Sequence, residues 1–455
     1  MKTPVRRGGG AGALRVAILF LLAVAPMAAG AVHEPVFIPL LLGCALVGGF
    51  SWLRGHRGRR AGLALPRLPG RRLLLALHFL VLLQLLPLPP LLLRGLSPGS
   101  FAFHSAMDLL PLAAWRPISV SPPDTLRGLA FLAAFTLLAG AVFRELGERP
   151  WRRRLVLTVV VVGMAMTVVA FVQAVSPDPR KIYGLWRPRW DYAVFGPYVN
   201  RNHFAGYLVM AIPLAMGLAL EALSALRRAW EGRRRGWLAL GGREGTTLVR
   251  RVTEVMVLVA GLLASASRGG VTAFVMSALA MPLASRRRRR TAFAVFVLAG
   301  LGVMWIGPGG VVGGFETRGF RGSRLDLWRD VLPMVRDFPL FGVGLNAFAT
   351  AYPRYQHFWR TEWVGEAHNE YLQALLDLGL VGAALVVAVL FLVFRAALRV
   401  AGRGPLEVGL FGALLALAVH NLVDFNWQIP ANVATWTALA AIALREEGDH
   451  AHASP

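Results

Sequence analysis

Apolar residues in this chain are gathered into blocks of about 15 to 25, the length an α-helix needs to cross a bilayer core of about 30 Å. The blocks run 14–32, 36–53, 72–94, 124–143, 154–175, 202–223, 252–266, 270–285, 291–307, 369–394, 405–423 and 430–444. Inside lipid every backbone N–H and C=O must be satisfied within the protein, and apolar runs of this length achieve that as helices. The expected fold is therefore all-α: a polytopic integral membrane protein of about twelve spans. A hydrophobic content of 56%, with 16% charged residues and a mean hydropathy of +0.55, excludes an ordinary soluble enzyme.

A net charge of +25 would suggest nucleic acid in a soluble protein. Here the cations fall in short runs between the apolar blocks, so no nucleic-acid partner is expected. The runs are Arg6–Arg7, Arg54–Arg72, Arg144–Arg154, Arg227–Arg251, Arg286–Arg290 and Arg395–Arg403. If the spans alternate, every run lies on one side, which puts the N-terminus in the cytoplasm by the positive-inside rule. Lys2 and Lys181 are the only lysines, so nothing is concluded from arginine being used elsewhere. The single cysteine, Cys44, lies in an apolar block and reads as a small buried hydrophobe. The basic start of the first block and "APMAAGA" after it also fit a cleavable signal peptide; an uncleaved span is expected, and later topology is the same either way.

The resulting map has a cytoplasmic tail at 1–13, nine spans over 14–307, a large outer loop at 308–367, three spans over 368–445 and a cytoplasmic tail at 446–455. In the loop, Leu325, Trp328, Leu332 and Val335 recur at helical spacing, which predicts an amphipathic helix ending at Phe338-Pro339 and the Gly342/Gly344 turn. Such a helix is expected on the membrane surface or as a cap on the bundle. The tail "EEGDHAHASP" reads as disordered, with its histidines solvated.

The polar residues that stand out lie at outer helix starts. "EAHNEYLQALLDLG" at 366–379 puts His368 and Asn369 where a span opens, and at 100° per residue Glu370, Gln373 and Asp377 share one face with His368 opposite. Interhelical hydrogen bonding is the plainer explanation of that stripe, and a solvent-exposed helix end is an equally good one for His368. "GPYVNRNHFAGYL" at 196–208 opens another span with Arg201, Asn202 and His203, where Asn200 fits an N-cap. "LASASRGGVTAF" at 263–274 opens a third with Ser267 and Arg268. All three helices would run from outside to inside, so their positive dipole ends and Arg201 and Arg268 suit an anion at the outer boundary. An arginine there is more often a snorkelling anchor, and Gly269 and Gly270 fit helix packing as well as close approach to a ligand.

These pieces, with "SRLDLWRD", "PLFGVGLNAF" and "HNLVDFNWQIP", resemble the O-antigen ligase and O-antigen polymerase family of bacterial envelope proteins over about residues 196–440. "SVSPPDTLRGLAFLAAFTLLA" is similar to the family's upstream span. The resemblance implies a GT-C-like membrane glycosyltransferase in the bacterial inner membrane, its active site facing the periplasm. It would move a glycan from undecaprenyl diphosphate to a hydroxyl of an acceptor glycan or glycolipid, with inversion, without a metal or other cofactor, and alongside other envelope polysaccharide assembly proteins. It also implies His368 as the catalytic residue and Arg201 and Arg268 as diphosphate ligands, with Asn202, His203, Arg324, Arg329 and Asn369 as further candidates for substrate binding. His420, Asn421 and Asp424 fit a family pattern too, although packing at a helix end explains them equally. The chemistry is coherent: a lipid diphosphate supplies its own leaving group, so the protein needs only to stabilise growing negative charge and remove the acceptor's proton.

A multi-span transporter of polysaccharide or lipid-linked sugar is the main alternative, kept open by Glu370, Gln373 and Asp377. A scaffold protein, or an intramembrane protease using Ser267, fits less well, since no partner is placed to activate that serine.

Overall fold

The computed structural model describes residues 10–60, 67–107, 115–188, 194–231, 236–284, 324–357 and 364–451. Among these residues the chain is all-helical, with no strand. In chain order the helices are α1 (Gly10–Met27), α2 (Glu34–Arg60), α3 (Arg71–Leu85), α4 (Pro90–Leu96), α5 (Pro98–Met107), α6 (Pro122–Glu145), α7 (Arg149–Ala174), α8 (Arg201–Glu231), α9 (Arg243–Ala264), α10 (Arg268–Ala284), α11 (Arg324–Asp337), α12 (Phe348–Ala351), α13 (Glu370–Ala401), α14 (Pro405–His420) and α15 (Pro430–Ala451). Six of them, α1, α2, α6, α7, α8 and α13, are long and apolar enough to cross a membrane, and α10 and α14 are shorter apolar helices.

The expected apolar blocks reappear as helices except 291–307, which lies outside the described residues together with Arg286–Arg290 and parts of the 308–367 loop. Two helices end early, for local reasons. α3 stops at Leu85 because Pro87 and Pro89 cannot continue a helix, so 72–94 is a helix of 15 residues followed by the start of the short α4. α1 stops at Met27, one residue after Pro26, and passes into a 3-10 turn in which Gly30 has φ 67°. The tail expected to be disordered from residue 446 instead continues α15 to Ala451. Its first residues are held: Glu446 pairs with Arg152 at 3.0 Å and Glu447 with Arg399 at 2.7 Å.

The bundle has two different ends. At the arginine-rich end, Glu145 accepts from Ser51 and Arg54 at 3.0 and 3.2 Å, and Arg15 pairs with Glu148 at 2.9 Å. Arg153 pairs with Glu221. The basic runs 54–72, 144–154 and 395–403 thus meet through these pairs, as the charge pattern requires. Between the ends, α8 and α14 form the most intimate pair: Gly217 and Gly409 face each other so closely that a Cβ on Gly409 would lie 2.6 Å from the Pro213 carbonyl. Small residues that let backbones touch are how helices pack without a hydrophobic gradient between them. Tyr198, Phe204 and Tyr207, all fully buried, pack around the opening of α8.

The opposite end carries a second apolar cluster built from Phe103, Val120, Leu327, Val331, Met334, Phe338, Phe348, Tyr352 and Leu376. The loop helix forms as expected, ends before Phe338-Pro339 and caps the bundle. Leu327, Val331 and Met334 are buried, and Trp328 and Val335 of the expected stripe pack partly buried against the same cluster, whereas Leu325 and Leu332 are 58% and 56% exposed. The buried face is therefore only partly the expected one, because α11 has apolar residues around much of its circumference and sequence periodicity does not say which of them meet the protein.

Candidate functional site

Three helices open at this capped end, and each carries its own cap. Asn200 Oδ1 accepts from Asn202 N at 2.9 Å at the start of α8. Ser267 Oγ accepts from Gly270 N at 3.3 Å at the start of α10. Asn369 Oδ1 accepts from Tyr371 N and Leu372 N at 3.0 and 3.1 Å at the start of α13. The caps use N–H groups that an anion would otherwise find, so what these tips still offer is the dipole and the neighbouring side chains. Ser267 is buried, and its hydroxyl accepts in this cap.

His368 is not on the α13 wheel at all. It precedes the Asn369 cap with φ 51°, in the left-handed region, so its expected position opposite Glu370, Gln373 and Asp377 does not apply. A non-glycine residue there costs about 1–2 kcal/mol, which the surrounding packing must offset. The strain aims the ring sideways, onto Phe425, at a centroid distance of 4.8 Å and near-perpendicular geometry. His203, from the first turn of α8, meets the same Phe425 at 4.6 Å. One phenyl ring therefore holds two imidazoles from two helix tips, each contact of the edge-to-face kind.

Phe425 belongs to the turn between α14 and α15, and this turn organises the site. Asp424, 1% exposed, lies between two histidines: its carboxylate is 3.7 Å from His203 Nε2 and 3.5 Å from His420 Nε2. His420 Nδ1 is 3.4 Å from Asn426 Nδ2, an arrangement that leaves Nε2 to carry the proton toward Asp424. Asn432 extends the network, donating to the Asn426 side chain and the His203 carbonyl at 2.9 Å each and accepting from Tyr198 at 2.9 Å. Burial alone would raise the Asp424 carboxyl; its contact with His203, then the charges of His420 and Arg324, outweigh burial and hold it below the usual carboxylate range.

The remaining elements dock onto the same turn. Glu370 accepts from the backbone of Trp427 and Gln428 at 2.6 and 3.1 Å, and its own N–H donates to the Asn421 carbonyl at 3.0 Å. Tyr371 donates to the Ala418 carbonyl at 2.8 Å. α10 arrives through glycine: a Cβ on Gly269 would stand 3.0 Å from His420 Cδ2, and one on Gly270 would stand 2.8 Å from Ala205 Cβ. Helix packing, not ligand approach, is thus enough to explain both glycines. The stripe of Glu370, Gln373 and Asp377 is buried and hydrogen-bonded mainly to turn and loop backbone: Gln373 accepts from Ala367 N at 2.7 Å and Asp377 from Asn346 N at 3.0 Å.

Arg201 and Arg268 stand exposed at the tips of α8 and α10, two residues from His203 and one from Gly269. Asn202 is half-buried between Arg201 and His203. Arg324, half-buried at the start of α11, is near enough for its charge to act on both His420 and Asp424. Arg329 is different: its side chain is 74% exposed and lies 3.7 Å from Asp326 in its own helix. The structure therefore gathers His203, His368, Asn369 and Arg324 around the 420–428 turn, places Arg201 and Arg268 on the helix tips that enter it, and leaves Arg329 on the surface. Sequence reasoning undervalued Asp424 and passed over Phe425. The signal available was the run His420, Asn421, Asp424, Asn426 interrupting two apolar spans, too polar for a simple turn buried in a bundle.

Comparison with known proteins follows the same region. A family model described as O-antigen ligase matches residues 255–387, a stretch that includes Arg268, Arg324 and His368 but not Arg201 or His203. The exopolysaccharide production protein ExoQ of Rhizobium meliloti (strain 1021) is 24% identical over 259 residues, which is 54% of this chain. The aligned part spans 57% of that relative's length. Both matches make the chain similar to O-antigen ligase and exopolysaccharide production proteins, the family-model match running from α9 into α13.

Proposed function

We propose that the protein is a membrane glycosyltransferase that moves a glycan from a lipid-linked diphosphate, of the undecaprenyl type, to a hydroxyl of an acceptor glycan. The site would face the periplasm from the bacterial inner membrane, within a GT-C-like bundle of about twelve spans. One observation carries the reading. The tips of α8 and α13 bring two imidazoles onto one phenyl ring beside a buried carboxylate, and α10, with Arg268 at its tip, packs on the same turn.

In this reading Arg201 and Arg268 grip the diphosphate at the positive ends of α8 and α10, where negative charge grows as the glycosidic bond to phosphate breaks. His368 accepts the proton of the attacking hydroxyl. Asp424 orients His203 and His420 and keeps the turn in place. Arg324 adds positive charge from the loop side, and Asn202 and Asn369 fit roles in holding the glycan. The chemistry needs no metal, because the diphosphate leaves without a Lewis acid when two guanidinium groups and two helix dipoles face it. Attack from the side opposite the diphosphate would invert the anomeric centre. Transport is the weaker reading, because the carboxylates that suggested it are tied to the protein's own backbone.

The acceptor has two versions. The family description favours ligation of a finished chain to a glycolipid, and the name of the Rhizobium relative favours growth of an exopolysaccharide. Purified protein in nanodiscs, given an undecaprenyl-diphosphate-linked repeat, should release undecaprenyl diphosphate and lengthen a glycan. No release with any acceptor glycan would remove the reading. In a strain lacking the protein, long chains stranded on the carrier would indicate ligation, and single repeats would indicate polymerisation.

A further inference from the structure

The longest apolar helix is two helices. Gly379 sits at φ 64°, ψ −171°, a region essentially closed to residues with a Cβ, and divides α13 into 370–378 and 380–401. Such a break frees backbone donors and acceptors in a place where water is scarce, and they must find partners in protein. The strip 339–344 from the outer loop supplies them. Val343 N and Gly344 N donate to the carbonyls of Leu376 and Asp377 at 2.9 and 3.1 Å, while Leu380 N and Val381 N donate to those of Pro339 and Leu340 at 2.8 and 3.2 Å. Gln84, fully buried on α3, locks the joint: it donates to the carbonyls of Phe341 and Asp377 at 2.6 and 2.8 Å and accepts from Leu345 N at 3.0 Å.

The fit leaves no room for side chains. A Cβ on Gly379 would lie 2.3 Å from Leu340 backbone atoms, and one on Gly342, itself at φ 67°, would lie 2.4 Å from the Asp377 carbonyl carbon. Both clashes are with backbone, which cannot swing aside. The lower segment, 380–401, is about 33 Å long and crosses a bilayer core without help. The upper segment is therefore not needed for spanning. It is a short rod with Asn369 and His368 at its tip, tied at its base to the outer loop and at its top to the 421–428 turn.

We propose that the filled break at Gly379 is what places His368, with Gly379, Gly342 and Gln84 as positioning residues that touch no substrate. The inference rests on the reading of His368 as the base. A rod fixed at its base by four backbone hydrogen bonds and a glutamine clamp can hold a strained residue at its tip, whereas a continuous helix would carry residue 368 along its own axis.

The test uses the full chain in nanodiscs, in a Cys44→Ser background, with nitroxides at Ala374 and Leu398, one on each segment. Electron–electron distance measurements should give one narrow distribution. Gly379→Ala should shift or broaden it, and Gln84→Leu should broaden it less. Gly402→Ala, at a position where a Cβ meets nothing within 4 Å, should leave it unchanged. With an undecaprenyl-diphosphate-linked repeat as donor, Gly379→Ala and Gln84→Leu should lower kcat at least about tenfold and leave the donor KM within about threefold. An unchanged distribution in Gly379→Ala, or a changed one with full kcat, overturns the inference. If Gly379→Ala does not assemble, Gln84→Leu carries both readouts. A wild-type chain that transfers nothing, while the distances behave as expected, refutes the glycosyl-transfer reading and leaves the break as the joint that fixes the rod.

Discussion

The two ends of the bundle use carboxylates for opposite purposes. At the arginine-rich end Glu145, Glu148, Glu446 and Glu447 pair with arginines from neighbouring helices. At the other end Asp424 faces two imidazoles, and Glu370 and Asp377 accept from backbone N–H groups. Arg201 and Arg268 remain exposed on their helix tips there. The first arrangement fixes topology: the charges are matched, so the end is held together and has little left for a ligand. The second concentrates positive potential and titratable rings around a buried turn, which is the distribution a site for an anionic substrate requires. Counting arginines would not separate the two ends; asking what each carboxylate holds does.

That contrast can be broken by mutation. The largest effect is expected at His368. His368→Ala should lower transfer about 10²- to 10⁴-fold, the range for a lost general base, with assembly and donor binding retained. Arg201→Ala and Arg268→Ala should each lower kcat by about 10²-fold or more, comparable to losing one donor to a developing anion. Arg54→Ala or Arg399→Ala at the opposite end should stay within about threefold, because half-exposed ion pairs contribute about 1 kcal/mol or less and touch no reacting atom. Equal losses at both ends, read in the same nanodisc assay, would erase the distinction.

Much of this was legible in the sequence because membrane helices obey two strong rules, length and charge sidedness. The blocks 124–143, 154–175 and 405–423 became α6, α7 and α14 within a few residues for that reason. The site was legible only in part. Asn200, Arg201, Ser267, Arg268, His368 and Asn369 announce themselves as polar residues at helix starts. Phe425 cannot, because an aromatic residue between two apolar spans looks like any other until two imidazoles are found against it. The stripe of Glu370, Gln373 and Asp377 looked intramembrane because α13 read as one long span. The break at Gly379 puts all three in the upper segment, and a single glycine in an apolar run carries no sign that a distant loop will fill the gap beside it.

Asp424→Asn should come next, with about a tenfold loss of activity, since the amide keeps the shape of the turn but removes the charge that faces His203 and His420. The pH dependence has a definite sign. The folded carboxyl titrates below its unfolded value of about 3.9, so its contribution to stability is present above that value and is lost as pH falls through the depressed one. Between pH 5 and 8 Asp424 therefore stays ionised, and an acid limb of the activity profile in that window comes from another group. Wild type and Asp424→Asn should accordingly differ in rate across the window by a roughly constant factor, measured as kcat against pH. If the acid limb vanished in the variant, Asp424 would itself be titrating there, and its place as a fixed charge behind the imidazoles would have to be given up.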